Sequence, residues 1–237
     1  MKLDLHIHTN SSVDGFSTPS MIIKYAKKRG LSGVAISDHN TLKGIDAVRR
    51  IAPTGFFVIP GVEYSTDFGH MLALFCDKSA EDFDKSSEGL YSFIEIADFV
   101  HGEAGLLVAA HPLRYKRYLK VGSPYDLNPK MLRKVDGIES INSRDLRRDP
   151  AANLIIEKCA MEHGLFLTGG SDAHMPMVIG DGYTEFPECG SLDELKQALV
   201  ARQTKAFGNP SKRVHIAAQK IMAGSKIAAS KVWRSLR

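Results

Sequence analysis

The sequence predicts an α/β fold made of repeated strand–helix units and closed into a barrel. Three observations carry that expectation. Short apolar runs recur along the 237 residues, and several are continuous rather than alternating, as in strands buried on both faces. Each run is followed by a loop and then by a helical pattern, which implies strands joined by crossovers and so a parallel sheet. No G-x-G-x-x-G turn or G-x-x-x-x-G-K-[ST] loop follows any of them, which weighs against an open nucleotide-cofactor sheet.

Taken in order, the strands are expected at Leu3–Ile7, Gly33–Ser37, Phe56–Val62, Met71–Phe75, Leu106–Ala110, Gly137–Ile141 and Leu165–Leu167. The helices have legible ends. Thr18-Pro19 offers an N-cap and a proline at the first helical position, for a helix running to about Arg29 and stopped by Gly30. A further helix is expected from Tyr91 to Glu103. Asp149-Pro150 repeats the capping device for a helix ending near His163-Gly164, and Ser191-Leu-Asp-Glu194 is a capping box opening a helix through about Arg202.

At 43% hydrophobic the chain can bury a substantial core as one domain or as a domain with a small appendage. The first residues hold no long apolar region of the kind a secretory signal needs, and no apolar stretch approaches the roughly 18–20 residues of a membrane helix. Cys76, Cys159 and Cys189 show no C-x-x-C spacing; so few scattered thiols fit a reducing, cytoplasmic setting better than a disulfide framework. The net charge of +4 is unevenly spread. Residues 211–237 hold seven Lys and Arg and no acid, leaving 24 basic against 27 acidic residues in 1–210. Two units are therefore expected: a barrel over 1–210 and a basic, helical tail over 211–237.

The chemistry lies where strands end. His6 and His8 close the first strand, and a spacing of two in extended chain turns both imidazoles to one side. Asp14 follows in the next loop. Asp38-His39 ends the second strand, Glu63 the third, His70 abuts the fourth, His111 ends the fifth, and Asp172 and His174 follow the seventh in "GGSDAH". Catalytic groups of a β/α barrel gather at such ends. Nine imidazoles and carboxylates there need cations to compensate them, and a set without thiolates suits Zn²⁺, Mn²⁺ or Fe²⁺. This points to a polynuclear metal site. His101, His163 and His215 lie at helix ends or in the tail and are read as capping or surface residues.

The runs "DLHIHTNSSVDG", "AISDHNT", "GVEYS", "HMLALF", "AAHP" and "TGGSDAH", in that order, resemble the PHP family, named for polymerase and histidinol phosphatase. The resemblance covers Leu3 to about Phe207. It implies a distorted (β/α)7 TIM-like barrel with two to three divalent ions at the C-terminal ends of its strands. It also implies a division of ligands: His6, His8, Glu63 and Asp172 on one ion; Glu63, His70 and His111 on a second; Asp14, His39 and His174 on a third. Asp14, where some members have His, resembles the small stand-alone phosphoesterases. Only about 60 residues separate His111 from Asp172, too few for the inserted helical domain of relatives acting on nucleoside 3',5'-bisphosphates.

The expected activity is metal-dependent phosphoester hydrolysis of a small phosphorylated substrate, such as a nucleotide, a nucleoside bisphosphate or an oligonucleotide end. The expected nucleophile is a hydroxide bridging two of the ions, with Glu63 and Asp172 in the catalytic set. Asp38 or His174 is available for proton transfer, Asp38 alternatively as an orienting carboxylate. In "ESINSRD", Asn142 and Arg144 are candidates for substrate contact; Arg114, Lys116 and Arg117, with Tyr115 and Tyr118, could steer an anion. A histidinol-phosphate phosphatase is the alternative within the enzyme class. A non-catalytic module binding nucleic acid or a partner through the basic tail is the alternative outside it. In that tail, apolar residues at 214, 217, 218, 221, 228, 232 and 236 approach helical spacing, which suits a helix packed on the barrel, a nucleic-acid contact or a membrane-surface helix.

Overall fold

The computed structural model describes residues 1–112, 114, 127–146 and 152–235. Strands β1 (Lys2–Ile7), β2 (Gly33–Ile36), β3 (Phe57–Thr66), β4 (Gly69–Leu74), β5 (Leu106–Ala109), β6 (Gly137–Asn142) and β7 (Phe166–Gly170) stand where the apolar runs place them. Among the described residues two more strands, β8 (Gly182–Glu185) and β9 (Lys205–Gly208), complete a sheet ordered β7-β6-β5-β4-β3-β2-β1-β8-β9. The sheet curls until its ends meet. Past β7, Ala173 bridges to Ile7, and the His8 amide donates to the Ala173 carbonyl at 2.9 Å. The result is the expected α/β barrel, nearly closed.

The strands are not all parallel, contrary to the simple strand–helix reading. β4 runs antiparallel to both β3 and β5, because Asp67-Phe68 turns β3 straight back into β4 with no helix between them. β8 is antiparallel to β1 and to β9. The β3–β4 hairpin explains His70. In a reversed strand the beginning, not the end, faces the same mouth as the C-terminal ends of β3 and β5.

Helices α1 (Pro19–Lys28), α2 (Ile45–Ile51), α3 (Phe93–Gly102), α4 (Pro129–Leu132), α5 (Ala152–His163) and α6 (Leu192–Val200) surround the sheet, and α7 (Arg213–Ser235) follows β9. The capping reads are met: the Thr18 hydroxyl accepts from the Met21 amide and Ser191 from the Glu194 amide. α2 and α4 were not anticipated, being 7 and 4 residues long. Side chains from β1 to β5 and β7, among them Leu5, Ile59, Leu72, Val108 and Phe166, meet in one buried cluster plugged by Leu195 and Leu199 of α6. That cluster is the barrel's floor, and the polar mouth lies above it.

Tyr115, Lys116, Arg117, Tyr118, the Asp149-Pro150 cap, the side chains of Val232 and Trp233, and Leu236 lie outside the described residues. No helix among the described residues is long and apolar enough to cross a membrane.

Candidate metal centre

Glu63 is the centre of the mouth. It is 1% exposed, and five imidazoles surround its two oxygens. Oε2 lies 3.2 Å from Nε2 of His6, 3.2 Å from Nε2 of His8 and 3.3 Å from Nδ1 of His39. Oε1 lies 2.7 Å from Nδ1 of His70 and 2.9 Å from Nε2 of His111. Asp172 faces the same pair on β1, its Oδ1 3.7 Å from His6 Nε2 and 3.5 Å from His8 Nε2. To one side, Asp14 Oδ2 meets His174 Nε2 at 2.9 Å and His39 Nε2 at 3.4 Å. All nine sequence-predicted ligands therefore converge.

The backbone needed for this is unusual. Asp172 and His111 hold positive φ values of 54° and 32°, and Asn40, after His39, one of 56°. Non-glycine residues there carry strain that the surroundings must offset. The glycines of "GGSDAH" serve close approach: a Cβ on Gly170 would stand 2.5 Å from His6 Cβ and 2.8 Å from Glu139 Oε1.

Four atoms test whether a cation fits. His6 Nε2, His8 Nε2, Glu63 Oε2 and Asp172 Oδ1 are buried and have no hydrogen-bond partner among the described residues. Each belongs to one group whose ligand atoms lie within 4.8 Å of one another. Donors held about 2.0–2.2 Å from a tetrahedral ion sit roughly 3.3–3.6 Å apart. The imidazole–carboxylate separations of 3.2 to 3.7 Å match that spacing. Unpaired buried polar atoms are costly, and here a divalent cation satisfies all four together. Two more groups could hold ions: His8, Asp14, His39 and His174, and His39, Glu63 and His70. The grouping differs slightly from the expected division. His8 also reaches the Asp14 set, and beside Glu63 and His70 the third member of the group is His39 in place of His111, whose Nε2 lies 2.9 Å from Glu63 Oε1.

Charge follows the crowding. Burial opposes ionisation of Glu63 and Asp172, yet His70 and His6 around Glu63, and Arg114 and His6 around Asp172, hold both well below the usual carboxylate range. Burial likewise disfavours a charged His6 or His8, but Glu139, Glu63 and Asp172 keep His6 well above its ordinary value. The adjacent Asp172 and Glu63 carboxylates raise His8 to about 9. Burial and the neighbouring His8 bring His174 down to about 4.

Two supporting residues, Glu139 and Asp4, went unrecognised in the sequence, and Arg114 was read only as steering an anion. Glu139, on β6, lies 2.9 Å through Oε1 from His6 Nδ1, while its Oε2 accepts from the His111 amide at 2.7 Å and from Asn142 at 2.9 Å. Asp4, wholly buried, accepts from the amides of His6, Ser171 and Gly180, tying β1 to the loops that follow β7; burial pushes its carboxyl up to about 7. A lone acid inside each apolar run was the available signal. Arg114 donates to Asp145 and Asp172, both at 2.6 Å, and thereby fixes Asp172 Oδ2.

The remaining candidates divide. Arg144 lines the cavity, with Nη1 3.6 Å from Asp172 Oδ2 and 3.5 Å from His174 Nδ1. Asn142 is buried beneath it, its amide nitrogen donating to Glu139 and its oxygen accepting from the Arg144 amide. Both Asp38 oxygens accept from Thr9, at 2.6 and 2.7 Å. His101 pairs with Asp136 and His163 with the Cys159 carbonyl, away from the mouth. The cavity encloses about 270 Å³ and is lined by Asp14, Glu63, Arg114, Arg144, Asp145 and Lys220 among others.

A model described as PHP-associated matches residues 150–204. An uncharacterized protein of Methanocaldococcus jannaschii is 34% identical over 168 residues, covering 65% of this chain and 88% of that protein. A 5'-3' exoribonuclease of Haemophilus influenzae is 36% identical over 83 residues, 33% of this chain and 30% of that one. Among solved structures, a two-domain Bacteroides vulgatus protein containing a predicted PHP-like metal-dependent phosphoesterase superposes with a TM-score of 0.73 at 19% identity. That match covers 88% of this chain and 65% of the other. The barrel, the ordered motifs and the matched PHP-associated segment agree: the chain belongs to the PHP family.

Proposed function

We propose that this chain hydrolyses a phosphoester with divalent cations held in the mouth: one by His6, His8, Glu63 and Asp172, a second by Glu63, His70 and His111, a third by Asp14, His39 and His174. The observation that carries the reading is the buried quartet of unpartnered atoms at ligand spacing. Ions bound there supply a water acidified towards neutral pH and positive charge over the phosphoryl oxygens. Zn²⁺, Mn²⁺ and Fe²⁺ all suit the donor set.

The chain's own groups then have distinct tasks. Glu63 presents Oε2 to His6, His8 and His39 and Oε1 to His70 and His111, so it would serve ions held on either side. With Oδ2 fixed by Arg114, Asp172 turns Oδ1 toward His6 and His8. The His174 Nδ1–H donates to the Asp172 carbonyl at 3.0 Å, which leaves the Nε2 lone pair directed at the Asp14 side. Arg144, half-buried on the cavity wall, offers a guanidinium fork to a phosphate. We assign Asp38 the positioning role, since Thr9 occupies both its oxygens and the pair braces the loop that leads to Asp14.

A small phosphorylated compound, such as a nucleotide, a nucleoside bisphosphate or an oligonucleotide end, suits a cavity of about 270 Å³. The similarity to an exoribonuclease supports the nucleotide end of that range. The test is phosphate release from a panel of nucleotides, bisphosphates, short oligonucleotides, histidinol phosphate and sugar phosphates, with Mn²⁺ or Zn²⁺ and with a chelator. Turnover that needs metal and vanishes in Asp172→Ala is expected. Equal turnover in that variant with ions still bound would overturn the assignment.

A further inference from the structure

Helix α7 belongs to the cavity. Ile216 and Lys220, one helical turn apart, line the same space as Asp14, His39, Glu63, Arg114, Arg144 and Asp172. The helix is fastened on both flanks. At its start the Ser211 amide donates to the Ser143 carbonyl at 2.9 Å, and its hydroxyl to Asp181 at 2.9 Å, beside the loop that carries Arg144. Farther along, the Lys226 ammonium donates to the carbonyls of Asn10, Ser12 and Gly15 at 3.0, 2.7 and 2.7 Å. Those three carbonyls belong to the loop that holds Asp14, so the lysine's three donors are all used there.

The face of α7 that packs is not the apolar one read from the sequence. His215, Ile216, Gln219, Ala223 and Lys226 turn inward, whereas Val214 and Ile221 are about 70% exposed, at 68% and 71%. The side laid over the polar mouth is mixed, with Gln219 and Lys226 among small and branched apolar residues. Gln219, beside Lys220, is 2% exposed, and its amide nitrogen has no partner among the described residues.

Charge on the cavity wall singles out Lys220. Arg114 is taken up by Asp145 and Asp172, and Arg144 lies within 3.6 Å of Asp172. Lys220 makes no ion pair with any described residue, yet its side chain lines the cavity. An uncommitted cation on the rim of an acid-rich mouth is what an anionic substrate meets.

We propose that α7 is a wall of the active site and that Lys220 is a substrate-positioning residue. On this account Lys220 pairs with the phosphate-bearing end of a compact substrate that enters between α7 and Arg144. The proposal rests on the phosphoester reading and adds the specificity element to it. A cavity of about 270 Å³ falls just below the ~300–1,000 Å³ typical of ligand sites, so α7 selects for chain ends and small phosphates over the interior of a polymer.

The test uses the full-length, Mn²⁺-loaded protein with inorganic phosphate as the binding probe and p-nitrophenyl phosphate as the turnover probe. Lys220→Glu is expected to weaken phosphate binding, measured by titration calorimetry, by about tenfold or more, as loss of a charged hydrogen bond implies. KM should rise in parallel, with a smaller change in kcat and unaltered metal content, and Lys220→Arg should restore binding to near wild type. Wild-type affinity in Lys220→Glu, or no phosphate binding by the wild-type protein, overturns the proposal. The two readings separate cleanly. Lys220-dependent phosphate binding without turnover of any phosphoester defeats the activity and leaves the site standing. Metal-dependent turnover with KM and phosphate binding indifferent to Lys220 does the reverse.

Discussion

Glu139→Gln should weaken metal binding about 10- to 100-fold without unfolding the barrel. The carboxylate has two jobs: Oε2 accepts from the His111 amide and Asn142, and Oε1 meets His6 Nδ1 at 2.9 Å. A glutamine of the same shape can keep its oxygen on only one side. Turned toward the two donors of His111 and Asn142, it presents its NH₂ to His6. His6 Nδ1 must then accept, which moves the ring proton to Nε2. That is the atom aimed at Glu63 and Asp172, and a protonated Nε2 cannot bind a cation. Losing an orienting partner of this kind typically costs 10–100-fold in affinity, about 1.4–2.7 kcal/mol. A competition titration of Zn²⁺ against a chelating dye reads the affinity, and thermal melting of the metal-free protein checks the fold. Unchanged affinity in a folded Glu139→Gln protein would refute the tautomer argument and leave Glu139 a mere packing residue.

Other outcomes follow from single contacts. Asp4→Asn puts an NH₂ among three backbone N–H donors and should lower stability by about 1–3 kcal/mol, read from urea midpoints. Gly44→Ala would drive a Cβ to 2.1 Å from Asp38 Oδ2 and 2.4 Å from Thr9 Oγ1. It should therefore loosen the Asp14 loop and reduce metal-dependent activity, while Gly30→Ala, with open space but φ of +69°, should cost only stability. Because the metal-free site holds His8 protonated up to about pH 9, with His6 also raised, an entering ion displaces protons; apparent affinity should rise with pH toward 9 and fall below it. A flat profile between pH 6 and 9 in the dye assay would contradict that. Lys226→Met, which removes three hydrogen bonds to the 10–15 loop, should speed limited proteolysis between residues 209 and 213.

The seven buried strands and the nine converging side chains were legible because each signal was local. A continuous apolar run marks a strand closed on both faces, and a titratable residue at its end marks the mouth. What escaped depended on partners far along the chain. β8 and β9 are four residues each, with half-exposed or alternating burial, and owe their existence to pairing with β1 and with each other. The reversal of β4 is carried by the two-residue Asp67-Phe68 turn, too brief to read as a missing helix. Glu139 and Asp4 stand within apolar strands, where a single acid looks like an exposed residue until the fold brings the His111 amide or the Ser171 amide onto it.

The tail shows why apolar periodicity misleads at a functional rim. Spacing of Val214, Ala217, Ala218 and Ile221 points to one face, on the assumption that a helix packs its greasy side. That assumption holds where the neighbour is a hydrophobic core. Above this barrel the neighbour is a cavity edged by Asp14, Arg144 and backbone carbonyls, so the stabilising contacts are an ammonium on three carbonyls and a serine on Asp181. The side of α7 that packs is therefore a mixed one, carrying Ile216 and Ala223 together with His215, Gln219 and Lys226, and Val214 and Ile221 are left to water. Polar contacts along a helix whose barrel ends in ionisable groups are thus evidence about the site, and in this chain they hold α7 where Lys220 lines the cavity.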